Sequence, residues 1–122
     1  MSTFLLDKSY ETLNTAAAFI EFHLDKDHRR AFNTSHLIEI SLDPNPDAGT
    51  DKNVPPQKLS LVFSTADVVV LGWRLDFLAD RLRESTLVAV GIIPKRYAEL
   101  ERAPVFVSAI KIDPVNKDAE KL

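Results

Sequence analysis

The chain has 122 residues, 45% of them apolar, and a formal net charge of -3. That is enough for one domain with its own core, and it lacks the concentrated positive footprint with which nucleic-acid binders hold phosphate. There is no cysteine, which excludes disulfide frameworks, thiolate nucleophiles and cysteine-ligated zinc or iron-sulfur centres.

The opening MSTFLLDKSYE has no basic lead and only a short apolar run before Asp7, so it does not read as a signal peptide. No apolar run approaches the roughly 20 residues needed to cross a bilayer. The expectation is a cytoplasmic protein without a membrane segment.

Residues 9–24 place Tyr10, Leu13, Ala17, Ile20 and Leu24 at helical spacing around an alanine run, which favours a helix. The second half of the same segment also alternates, with Ile20, Phe22 and Leu24 against Glu21, His23 and Asp25, as a half-buried strand would. Both readings stay open. Under the strand reading Asp25 to His28 is a turn, and residues 31–42 return as a partner strand with Phe32, His36, Ile38, Ile40 and Leu42 on alternate positions. His36 is then partly buried.

Residues 43–57, DPNPDAGTDKNVPPQ, hold four prolines and read as a flexible loop. Strands are expected at 58–63 and 66–71, joined by Ser64-Thr65. The apolar run Val68 to Leu71 marks the second as either covered on both faces or facing a partner. A helix follows at 72–84, then a β-branched strand at 86–93 that Pro94 ends. A short helical turn is expected in the charged stretch after Pro94, another strand at 105–112, and a frayed tail at 113–122. The whole is an α+β domain over 1–112: an antiparallel or mixed sheet of about five strands packed against one or two helices.

On the expected 72–84 helix, Leu75, Leu78, Ala79 and Leu82 form one stripe suited to a sheet. Trp73 and Phe77 fall on the reverse side. Either another segment covers them, or Trp73 turns inward at the helix entry, or they anchor an interface, since buried aromatics carry much of the energy of protein contacts. The same helix spaces Asp80 from Arg83, and Arg81 from Glu84, for i,i+3 ion pairs.

The chemistry-bearing residues are sparse. Glu21, His23, Asp25 and His28, with His36 across a hairpin, are weak candidates for a metal site and a small metal-assisted hydrolase. No nucleophile elbow accompanies them. The three glycines are scattered, so no phosphate cradle forms, and no cofactor is expected. Lys95, Arg96 and Arg102 are weak candidates for an anion or RNA contact. The favoured reading is a non-enzymatic interaction or assembly module, homo-oligomeric, meeting another chain through a sheet edge or the Trp73 and Phe77 side.

Overall fold

Among the described residues, eight strands and one helix follow in order: β1 (Tyr10–Thr12), β2 (Phe19–His23), β3 (Arg29–Asn33), a 3-10 turn (Thr34–His36), β4 (Leu37–Pro44), β5 (Gln57–Phe63), β6 (Ala66–Trp73), α1 (Asp76–Arg83), β7 (Leu87–Gly91) and β8 (Phe106–Pro114). This computed structural model describes residues 10–25, 27–50, 54–92 and 105–115. The α+β class expected from the sequence is present, with its strands divided between two four-stranded sheets. The first has the order β1-β7-β2-β3 and the second β4-β5-β6-β8. All pairings are antiparallel except β2 with β7, whose parallel partner is reached through α1.

Alternation decides which side chains enter the core. In the second sheet Leu59, Leu61 and Phe63 of β5 and Val68 and Val70 of β6 are buried. From the first sheet come Ile20 and Phe22 of β2, Phe32 of β3, and Leu87 and Val90 of β7. Leu75, Leu78 and Leu82 complete the cluster from the helical segment, as the expected stripe requires. Rings bridge the sheets: Phe63 stacks on Phe32 with centroids 4.7 Å apart, and Phe22 meets Phe63 edge-on at 6.3 Å.

The N-terminal segment takes the strand reading, and the helical one is overturned. Tertiary bonds claim the backbone of the alanine run: the Ala17 N–H donates to Ser85 O at 2.6 Å, and Thr34 Oγ1 donates to Ala17 O at 2.7 Å. Asp25 and His28 are joined by the backbone bond of the expected turn, the His28 N–H donating to Asp25 O at 3.4 Å. The returning strand stops at Asn33, because Asn33 Oδ1 accepts from the Ser35 N–H at 2.8 Å and starts the 3-10 turn. His36 sits in that turn and is exposed, which corrects its expected partial burial. β8 runs on through Asp113 and Pro114, which pair with Asp67 and Ala66, so the expected tail begins later; residues 116–122 lie outside the described residues. The 43–57 loop is clamped at its ends by buried Asn45, whose N–H donates to Pro56 O and whose Nδ2 donates to Pro55 O, each at 2.8 Å.

The helix is shorter than expected, because Arg74 takes a left-handed φ of 56° between β6 and α1. Gln57 Oε1 accepts from the Leu75 N–H at 2.6 Å and satisfies the helix entry. At the other end the Ser85 N–H donates to Leu82 O and the Thr86 N–H to Arg81 O, both at 3.0 Å. This is a Schellman closure with Ser85 at the left-handed position, φ 62°. Both expected ion pairs form, Arg83 with Asp80 and Arg81 with Glu84, at 3.1 Å.

Two substitutions test this backbone with opposite signs. A Cβ on Gly72 would strike the carbonyl oxygen of Phe106 in the neighbouring strand, so Gly72→Ala is expected to destabilise by about 1–3 kcal/mol. Ser85→Gly relieves a left-handed Cβ conflict of about 1–2 kcal/mol, less the added chain entropy, for a net gain of about 0.5 kcal/mol. Urea unfolding monitored by circular dichroism reads both.

Candidate functional site

The histidine and carboxylate candidates separate into two pairs and a remote third residue. Glu21 and His23 face away from the core on β2, with His23 Nε2 3.0 Å from Glu21 Oε1. Arg29, paired opposite His23 on β3, places its Nη1 3.8 Å from the same carboxylate oxygen. A guanidinium there competes with any cation for that oxygen. Asp25 and His28 form the second pair in the hairpin turn, with His28 Nδ1 2.9 Å from both Asp25 oxygens. His36 stands apart in the 3-10 turn. Among the described residues no group of three or more His, Asp or Glu side chains is placed to hold a metal ion. Lys95, Arg96 and Arg102 lie outside the described residues.

The two aromatic candidates are also separated. Trp73 ends β6 and is not on the helix; its ring stacks on Phe106 with centroids 5.0 Å apart and planes 17° apart. Phe77 is on α1, where Tyr10 of β1 packs against it at 5.0 Å and the Arg81 guanidinium lies over its ring, also at 5.0 Å. β1 therefore supplies the cover for Phe77, a role the sequence reading had considered for other segments. Trp73 and Phe77 thus lie on different elements with different ring partners.

Trp73 instead continues a row on the outer face of the second sheet. Register places Glu39, Val62, Asp67 and Asp113 across the four strands at one end, and Ser41, Ser60, Val69 and Lys111 in the next row. Asp43, Lys58, Leu71 and Ala109 form the third. Val69, Leu71 and Trp73 thus run down central strand β6 on the face turned from the core, each only half-buried. An antiparallel sheet with one wet face normally puts polar residues there, and no described element lies over this spine.

A second feature is an open groove of about 300 Å³ between β4 and the end of α1. Leu37, Ile38, Glu39 and Ile40 line one wall, and Leu82 and Arg83 the other. Ile38, 68% exposed, sits at a register shift between Leu37 and Glu39 and is the most exposed large apolar residue described. Thr34 and Ser85 close one end, held together through their shared bonds to Ala17. Sequence reasoning missed the groove, since its walls are some 40 positions apart in the chain.

No family model, curated protein or solved structure matches this chain. Among the described residues no helix is long and apolar enough to cross a membrane.

The turn pair sets a pH dependence. The Asp27 N–H bond, and then the bond from His28, hold the Asp25 carboxyl below its ordinary value. A depressed carboxylate contributes stability above its unfolded pKa and loses it as pH falls through the folded one. His28→Ala is expected to move the Asp25 midpoint upward, part of the way to the ordinary value, in a carboxyl-detected NMR titration.

Proposed function

We propose that the protein is a non-enzymatic assembly module that pairs with a second copy of itself through the outer face of its second sheet. The observation that carries this reading is β6, apolar on both faces yet, among the described residues, covered on one. Val68 and Val70 fill the core, while Val69, Leu71 and Trp73 extend the opposite face, with Val62 and Ala109 beside them.

Lys58 supplies the charge match for a two-fold arrangement. Glu39, Asp67 and Asp113 mark one end of the face, and Lys58 lies toward the other with Asp43 beside it on the edge strand. Face-to-face packing about an axis perpendicular to the strands brings Lys58 of each copy over the other's acidic end, with β6 on β6. Lys111 stays with its own Asp113, 3.9 Å away. Such a contact is isologous and closes at two subunits, with sheets about 10 Å apart.

Size bounds its strength. Four strands of about seven residues make a face of roughly 19 by 23 Å. The total area buried is then on the order of 1,000 Å², at the low end for specific complexes, so the dimer is expected to be concentration-dependent.

Sedimentation velocity over 1–200 μM protein tests the proposal. The wild type is expected to shift from monomer to dimer, and Leu71→Arg to remain monomeric with unchanged circular dichroism. Lys58→Glu is expected to weaken the dimer at least tenfold, and the added change Asp67→Lys to recover most of the loss. A wild type that stays monomeric throughout, or a Leu71→Arg that still dimerises, refutes it.

A further inference from the structure

The groove beside β4 shares only Glu39 with the dimer face, and its shape specifies a different occupant. Leu37, Ile38, Glu39 and Ile40 are consecutive residues that line one cavity. Successive side chains of a regular strand point to opposite faces, so Glu39 and Ile40, which follow the register shift, border the same space because it lies along the edge of the strand. β4 is the terminal strand of its sheet, and α1 forms the facing wall. We propose that this groove binds a short extended peptide of another protein by strand addition to β4, and selects an apolar residue next to a lysine or arginine.

The preference follows from register. Ile40 points to the inner side of the sheet, where Leu37 and Leu82 supply an apolar floor. The peptide residue opposite Ile40 therefore enters a space that excludes charge. Its neighbour, opposite Glu39, lies on the outer side beside an exposed carboxylate, and an opposite charge directly across a strand pair is favourable. Arg83, on the facing wall, has its own carboxylate partner in Asp80 at 3.1 Å.

The ends of β4 set the length. The irregularity between Leu37 and Glu39 interrupts pairing on one side, and Pro44 has no N–H to offer on the other. Both are devices that blunt an edge against long association. They leave Glu39 to Asp43, about 17 Å of strand, which suits a five- or six-residue peptide and disfavours pairing of two whole β4 edges. A cavity of about 300 Å³ accepts one or two side chains.

A random-heptapeptide display library panned in parallel on the wild-type chain and on Glu39→Lys tests the proposal. The expected result is an apolar-basic pair enriched on the wild type and an apolar-acidic pair on the variant. A synthetic peptide from the wild-type set is expected to shift amide resonances at 37–43 and 82–85. Methylating its alternate backbone nitrogens, on the edge that meets β4, is expected to lower affinity at least tenfold. The monomeric Leu71→Arg variant is expected to bind this peptide as the wild type does, so failure of the dimer and failure of the groove are read separately. Absence of enrichment, one consensus on both baits, shifts confined to other strands, or equal binding of the methylated peptide each overturns it.

Discussion

Phe63 is where the two sheets become one core. Its ring meets Phe32 and Phe22 of the first sheet while its backbone pairs with Leu37 in the second. The chain crosses between sheets beside it, through the 3-10 turn, and the Ser64 N–H donates to His36 O at 2.9 Å to close that corner. Each aromatic pair adds about 0.5–1.5 kcal/mol beyond its buried area. The larger effect is geometric, because three rings that interlock at one point leave little freedom in how the sheets are set.

The surface inherits its character from that setting. Once one face of β5 and β6 is committed to the rings and to α1, the residues between them in sequence must occupy the other. On β5 these are Lys58, Ser60 and partly exposed Val62, a composition that water tolerates. On β6 they are Asp67 at one end and then Val69, Leu71 and Trp73. The neighbouring strands thus share a fold requirement and differ in what they present outward. The helix adds a second asymmetry, since α1 approaches β4 at its C-terminal turn and leaves a space along the sheet edge.

Much of the scaffold was legible because it depends on local patterning. The β5–β6 hairpin, the Leu75, Leu78 and Leu82 stripe and both ion pairs of α1 follow from period and spacing alone. The failures occurred where tertiary bonds overrode propensity. Alanines at 16–18 favour a helix, but Ser85 and Thr34 claim the backbone of Ala17. A helical wheel puts Trp73 on the helix, whereas the break at Arg74 uses a left-handed residue that is not glycine. The turn at 34–36 was signalled by Asn33 followed by Thr34 and Ser35, a side-chain cap hidden inside an apparent alternation. Of the two surfaces, the spine on β6 was visible as a strand suited to cover on both sides. The groove was not, since nothing local in 37–40 or 82–85 states that these segments meet.

The pairing of β1 with β7 has a consequence for synthesis of the chain. Tyr10 lies opposite Val90, and β1 has no other strand partner among the described residues. At ribosomal rates of about 5–20 residues per second, Tyr10 precedes Val90 by roughly 4–16 s. During that interval the β2–β3 hairpin can close locally, while β1 must wait for the crossover through α1 to deliver its neighbour. Phe77 likewise emerges long after Tyr10, the ring that covers it. β1 is therefore among the last of the described strands to find its place, and translation speed governs how long this edge stays open to the ribosome's surroundings.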